Sequence, residues 1–300
     1  MLLARIVTGV AVGAAYSLIA VAVVLIYSGT KTLSIAMGEL GAFGFFLGLR
    51  WHTRGIPLVH TKVSVFTAGL VAVAVGGLLG LAVERLVMRP LVQRPPLDGL
   101  IATLGVALFL ALLEVQIFGR ATQFAPSPVG DGRVTIFRAV LVAPRIAALL
   151  LSAVVALGLY LFLNRTKFGL ATRAATGDPT VARLLGVKVN SVYRLVWVVG
   201  GALSGVAAAL LAPAFGGLTP FAQTTFALRA LAGAVIGGLD SLWGAILGSL
   251  LVGVVESVVG SSVTSGGAAV PGASEAAILV LVIATLVVRP RGLLGTAGAA

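Results

Sequence analysis

The chain has 300 residues, a formal net charge of +12 and no cysteine. Hydrophobic residues make up 59% of it and charged residues only 10%, far below the roughly 25% charged residues of an ordinary soluble domain. The absence of cysteine excludes disulfides, thiolate catalysis and cysteine-based metal sites. The basic residues stand between apolar runs and form no basic–aromatic stretch, so nucleic acid is not an expected partner. Lipid is the expected solvent for most of the chain.

Nine apolar segments, separated by polar interruptions, have the length and composition of membrane helices. They are Val7–Ile26, Leu33–Leu49, Val63–Val87, Leu100–Phe118, Ile146–Leu163, Leu195–Pro213, Thr225–Leu239, Leu242–Val259 and Glu275–Val288. The predicted fold is all-α, a polytopic transmembrane helical bundle of about 8–9 spanning or partly re-entrant segments that forms one domain over residues 1–300. Glycines interrupt the second segment and the stretch Thr225–Val259, so these two are candidates for re-entrant or broken helices. The first segment is expected to be retained as a helix rather than removed as a signal peptide.

Basic residues in short loops prefer the cytoplasmic side of a membrane. If all nine segments cross and the loop of residues 164–194 lies inside, more basic residues fall on the inside than on the outside. The longest outside loop is then the segment 119–144, whose prolines and glycines predict irregular structure.

The loop of residues 164–194 holds six basic residues and one aspartate. Within it, Asp178 is a predicted helix N-cap, Pro179 takes the first helical position, and Gly186 supplies a left-handed stop. This short helix has one apolar face and is too short to be stable alone, so it needs a groove on the chain's own surface or on a partner protein. The apolar face consists of Val181, Leu184 and Leu185.

The segment Thr166–Val187 resembles the cytoplasmic coupling loop of the branched-chain amino acid ABC transporter permeases, with Gly, Arg-Ala, Asp, Ala and Gly at matching spacings. Three further blocks agree with this family in the same order: Val83–Leu91, Val235–Gly248 and Arg289–Gly295. The resemblance assigns ATPase coupling to Gly169, Arg173, Ala174, Asp178, Pro179, Ala182, Arg183, Leu184 and Gly186.

The resemblance implies a multi-pass permease of the bacterial inner membrane, surrounded by membrane lipid. It also implies a second permease subunit, related or identical, two cytoplasmic ABC ATPase subunits and an extracytoplasmic solute-binding protein. ATP and Mg would act in the ATPase subunits, with no cofactor in this chain. The sequence indeed has no G-x-x-x-x-G-K-[ST] phosphate loop. No nucleophile, base and orienting acid converge in a loop, and His52 and His60 lack a second pair of metal ligands, so neither enzyme chemistry nor a metal site is expected.

Ionisable residues inside predicted spans are costly in lipid and are therefore functional candidates. They are Glu39, Glu114, Glu256 and Arg229. Glu39 either lines a solute pathway, or is hydrogen-bonded to backbone or paired with Lys31. Glu256 either lines the pathway or reaches the outer interface, where Glu114 is also expected. Arg229 is expected to extend to the outer surface along its aliphatic stem, and pairing with Glu256 is the alternative.

The family block that corresponds to Ser34–Glu39 commonly reads Asn-Phe-Ala-His-Gly-Glu. This chain keeps Gly-Glu but departs from the Asn, Phe and His, which favours an apolar or aromatic acid as the solute. Glycines spaced with other small residues are expected to serve close helix packing, and Gly237–Gly238 can also mark a break beside the pathway. The predicted pathway residues are Ser34, Met37, Gly38, Glu39, Gly237, Gly238 and Glu256.

The leading functional hypothesis is a permease subunit of an ATP-driven importer of branched-chain or other hydrophobic or aromatic amino acids, or related small carboxylates. A self-sufficient secondary carrier or channel is the alternative. A non-transporting membrane scaffold is a third possibility, but it would need neither intramembrane carboxylates nor glycine breaks.

Overall fold

The computed structural model describes residues 2–55, 63–92, 94–126, 129–130, 132–136, 139–262, 264–265 and 268–295. The helices in chain order are α1 (Leu2–Thr30), α2 (Met37–Arg54), α3 (Val65–Val83), α4 (Arg89–Leu91), α5 (Pro96–Phe118), α6 (Ala143–Arg165), α7 (Lys167–Gly177), α8 (Pro179–Leu184), α9 (Val189–Ala214), α10 (Ala222–Gly237), α11 (Leu242–Ser262) and α12 (Ala273–Val288). A π-helical turn, Glu84–Met88, joins α3 to α4.

The predicted helical bundle is confirmed, and each of the nine predicted segments coincides with a helix. Five helices are long and apolar enough to cross a membrane alone: α1, α3 continued through α4, α5, α9 and α11. The end of α6 and all of α7 satisfy the same test only as a pair bent by 78°. Two stretches were predicted to contain broken or re-entrant helices. Helices α2 and α10 lie in these stretches, and neither is long and apolar enough to pass the same test. The shorter apolar helix α12 has 16 residues.

Two short antiparallel ribbons interrupt the helical pattern. One pairs β1 (Arg133–Ile136) with β2 (Ala139–Val142), so that Arg133 lies opposite Val142. The other pairs β3 (Thr264–Ser265) with β4 (Ala268–Ala269). The prediction of irregular structure throughout the segment 119–144 was therefore wrong for the first ribbon. Its run of alternating Val, Thr and Ile is typical of a strand, but prolines and glycines on its N-terminal side obscured it.

Helix α1 forms the centre of the bundle and is buried along nearly its whole length. It packs mainly against α11 and α9. Glycines make the first contact close, because a Cβ added at Gly13 would lie 2.6 Å from the Leu250 Cα atom. A Cβ at Gly9 would likewise lie 2.8 Å from the Gly253 carbonyl oxygen. Small residues thus bring the two helix backbones together, as in other membrane bundles.

Helices α3 and α5 lie at the periphery and expose most of their apolar side chains. Helix α3 is held against α9 by glycines, since a Cβ on either Gly76 or Gly201 would overlap the backbone carbonyl of the other. The outward faces of α3 and α5 suit lipid or a second membrane subunit.

Candidate functional site

The short helix α8 begins and ends as the sequence predicts. Asp178 Oδ1 accepts hydrogen bonds from the backbone amides of Thr180, at 2.7 Å, and Val181, at 3.1 Å. Pro179 occupies the first helical position. Gly186 follows with a φ of +83°, the left-handed conformation that glycine adopts most readily. The capping prediction is confirmed.

The apolar face of α8 is not covered by this chain. Leu184 and Leu185 are 83% and 76% exposed, and Val181 is also exposed. On the opposite side Ala182 is buried and anchors the helix to the bundle. A groove for this face on the chain's own surface is therefore ruled out among the described residues, and a partner protein is the remaining alternative.

The predicted loop of residues 164–194 contains a second helix, α7, which sequence analysis missed. Thr166 caps α7 by accepting a hydrogen bond from the Gly169 amide at 3.2 Å, and Gly169 lies against the Leu163 backbone too closely for a side chain. Arg173 donates to the Asn164 side chain at 3.2 Å, and the Ala174 carbonyl accepts from the Asp178 amide. Arg183 is exposed. The threonine cap was the available sequence signal for α7.

A direct hydrogen bond connects this region to the central helix. The Thr176 hydroxyl on α7 lies 2.7 Å from the Ser28 carbonyl near the end of α1 and 2.6 Å from the Thr172 carbonyl within α7, so its one proton is shared between the two acceptors. Beside this bond lies a cavity of about 300 Å³. Its lining includes Lys31, Arg89 and Pro179, so one wall belongs to the start of α8 and another to the end of α1.

Gly237 and Gly238, predicted to lie beside the pathway, end α10 in a tightly packed turn. Gly237 lies against the Gly244 backbone on α11 too closely for a side chain. The chain that follows α12 returns to this turn, where the amides of Leu293 and Leu294 donate to the carbonyls of Ile236 and Gly237 at 2.8 and 2.9 Å. These contacts explain the two glycines by packing and helix capping, and the pathway role stays a prediction.

Lys31 does not pair with Glu39. Its Nζ atom lies 2.9 Å from Asp240 Oδ1 and 5.0 Å from the centre of the Tyr27 ring. Glu39 instead accepts a hydrogen bond from the Thr224 hydroxyl on α10. The alternative that Glu39 is paired with Lys31 was therefore wrong.

Glu39 on α2 faces a second buried carboxyl group, that of Glu114 on α5. Both residues are fully buried. Glu114 is covered by protein where α2 packs against α5, and its expected place at the outer membrane interface stays a prediction. The sequence signal for the burial of Glu114 was its place as a lone acidic residue in an otherwise apolar segment.

Around the start of α2, the chain passes close to α10. A Cβ on Gly38 would lie 2.6 Å from the Gln223 carbonyl oxygen. Met37 is buried, and its sulfur lies 3.8 Å from the Ser204 hydroxyl on α9. Ser34 is also buried, and its hydroxyl has no hydrogen-bond partner among the described residues. The structure thus brings four predicted pathway residues, Ser34 to Glu39, to one junction of helices.

Glu256, the remaining predicted pathway residue, belongs to a separate network. Its Oε1 atom lies 2.5 Å from Arg229 Nη1, and its Oε2 atom accepts from the Tyr16 hydroxyl at 2.9 Å. Arg229 also lies 2.6 Å from Glu275 and is only 16% exposed in its side chain. The expectation that Arg229 extends to the outer surface was wrong, and the alternative of a pair with Glu256 is what the structure contains.

In the described part of the chain, no group of three or more metal-ligating side chains could hold a metal ion. His52 is engaged by the Val63 carbonyl, 2.7 Å from its Nδ1 atom. His60 lies outside the described residues.

The apolar helices and the buried ionisable groups define a multi-pass helical membrane protein. The chain belongs to the family described as branched-chain amino acid transport system / permease component, which matches residues 5–288.

Several relatives of known name extend over nearly the whole chain. The branched-chain amino acid transport permease BraD of Pseudomonas aeruginosa is 30% identical over 98% of this chain and 95% of its own length. The corresponding permease LivH of Escherichia coli is 26% identical over 96% and 93%. The fructose import permease FruG of Bifidobacterium longum is 25% identical over 90% and 77%. Among solved structures, PsaBC from Streptococcus pneumoniae in complex with Fab matches with a TM-score of 0.45 and 13% identity, covering 94% of this chain and 89% of that one.

Proposed function

We propose that this chain is the membrane permease subunit of an ATP-driven importer in the bacterial inner membrane. It would carry branched-chain or other hydrophobic or aromatic amino acids, or related small carboxylates. Membership of the permease family and the names of the full-length relatives support amino acids as the solute class. The departures from the family block around Ser34 and Met37 favour a solute with a large apolar part.

The observation that carries the proposal is the exposed apolar face of α8. A six-residue helix is not stable by itself, and this one is capped at both ends but leaves two leucines uncovered in a basic loop. Such a face suits insertion into a groove on a cytoplasmic partner. The proposed partners are two ABC ATPase subunits, which would bind ATP and Mg. A second permease subunit and an extracytoplasmic solute-binding protein complete the proposed complex.

The contacts around α8 provide a mechanical route into the bundle. A movement of α8 would displace α7, which directly precedes α8 and is joined to it at Asp178. The hydrogen bond from Thr176 to Ser28 would pass that movement to the end of α1. From there the chain runs through residues 31–36 to Glu39 and the other predicted pathway residues at the start of α2. Closing and opening of this junction would then alternately block and allow access of the solute to the pathway.

The test is co-purification with the candidate ATPase subunits from mild detergent. Leu184→Asp should abolish the association, because a charge replaces an apolar side chain at the proposed contact. Because Leu184 is highly exposed, the substitution costs the isolated permease little stability. Leu294→Asp is the matched control, since Leu294 is an exposed leucine elsewhere, in the turn after α12. Retention of the ATPase by Leu184→Asp at the native level would contradict the α8 contact. No association even with the native chain would favour the secondary carrier.

A further inference from the structure

Two carboxyl groups inside the bundle face each other without a counter-charge. Glu39 and Glu114 come from α2 and α5, and both are fully buried. The Thr224 hydroxyl donates to Glu39 Oε1. In the described part of the chain, no donor bonds to Glu39 Oε2 or to either oxygen of Glu114. Three carboxyl oxygens are thus buried without a donor at the contact of α2 with α5.

Positive charge near the pair is already engaged elsewhere. The basic residues on α2, on the described helices that pack against α2 and α5, and on the π-helical turn that contacts α5 are Arg5, Arg50, His52, Arg54, Arg85, Arg194 and Arg229. All except Arg54 and Arg85, which are exposed, are hydrogen-bonded to other groups. Arg50 is directed to the Ile117 carbonyl, at 3.1 Å, and Arg229 to Glu256. The described parts of α3 and α5 contain no basic residue.

Two ionised carboxylates in such a place would repel each other and would lack solvation. A proton on one of them removes one negative charge. It also supplies the missing donor, because the O–H group of a protonated carboxyl donates a hydrogen bond to the facing carboxylate. We propose that Glu39 and Glu114 form a proton-binding site in the membrane interior. The proposal deepens the proposed function, since Glu39 lies among the predicted pathway residues.

The site joins three helices that the transport cycle would move. Glu39 lies in the first turn of α2, Glu114 in the last third of α5, and Thr224 in the first turn of α10. Separation of these helices would admit water, which stabilises ionised carboxylates and would release the proton. Closure would take a proton up again.

Infrared difference spectroscopy on the purified full chain tests the site without any need for transport activity. The native chain should show the carbonyl stretch of a protonated carboxylic acid, shifted in D₂O. The double variant Glu39→Gln/Glu114→Gln should lose that band, because an amide preserves the shape but cannot carry the acid proton. Glu275→Gln should retain it, because Glu275 is half-exposed and paired with Arg229.

A second measurement guards against a variant that fails to fold. Dicyclohexylcarbodiimide reacts with protonated carboxyl groups in apolar surroundings, so an adduct mass on the native peptide containing Glu39 or Glu114 is expected. Absence of both the band and the adduct in the folded native chain would overturn the proposal. Persistence of the full band in the double variant would also overturn it. The failure of ATPase association would leave these outcomes unchanged, so the two proposals can fail separately.

Discussion

Arg229 on α10 and Glu256 on α11 form an ion pair of 2.5 Å inside the bundle. Tyr16 on α1 contacts both groups, and Glu275 on α12 takes the second nitrogen of the guanidinium. One arginine therefore connects α1 with three consecutive helices near the end of the chain, α10, α11 and α12. Because charges are costly among apolar helices, each member of this network depends on the others.

Removal of one partner from this ion pair should destabilise the protein strongly. Arg229→Met leaves the Glu256 carboxylate without its cation, and we expect a loss of about 3 kcal/mol in the free energy of unfolding. The double variant Arg229→Met/Glu256→Met should recover part of that loss. Thermal unfolding in detergent measures both. Glu275→Gln, at a half-exposed position, should cost about 1 kcal/mol or less. Equal losses in Arg229→Met and Glu275→Gln would contradict this view of the network.

The contact of α1 with α11 should not tolerate a methyl group. Gly13→Ala places a Cβ atom 2.6 Å from the Leu250 Cα atom, and overpacking of this kind costs about 1–3 kcal/mol. Gly158→Ala on α6 is the matched control, since a Cβ there meets nothing within 4 Å. Yield and thermal stability in detergent should fall for the first variant only. Equal yield and thermal stability of the two variants would show that Gly13 is not needed for the close approach of α1 and α11.

The turn after α12 combines backbone strain with close packing. Gly292 has a φ of +80°, and a Cβ there would lie 2.5 Å from the Gly238 amide nitrogen. Gly272 has the same φ but open space around it. We expect Gly272→Ala to cost about 1 kcal/mol from strain alone, and Gly292→Ala to cost clearly more. The difference in melting temperature between the two variants separates strain from packing, and no difference would argue against the cap on α10.

The Asp178 cap should control the local stability of α8. Asp178→Ala removes the acceptor for two backbone amides, and a lost cap typically costs about 1 kcal/mol. Hydrogen exchange of the peptide that covers α8 should therefore accelerate about fivefold. Thr180→Ala is the control, because that side chain makes no capping bond. Unchanged exchange in Asp178→Ala would show that contacts with the bundle, rather than the cap, hold this helix.

The sequence alone determined the apolar segments and the ends of α8. In lipid, a run of about twenty apolar residues can satisfy the hydrogen bonds of its backbone only as a helix. Each such segment can therefore be recognised from the sequence. The cap of Asp178 is equally local, because its carboxylate reaches amides only two and three residues ahead. Helix α7 was missed because it has few apolar residues and meets α6 at a sharp bend.

Tertiary structure alone decided which ionisable side chains meet. Glu39 and Glu114, like Arg229 and Glu256, lie on different helices, and their meeting depends on how those helices rotate and how deeply they pack. That packing is set by backbone contacts at glycines such as Gly13 and Gly38, where the partner is a distant helix rather than a neighbouring residue. Sequence periodicity describes one helix at a time, so it identified the costly charges and offered Glu256 as one alternative for Arg229, but it could not decide between the alternatives.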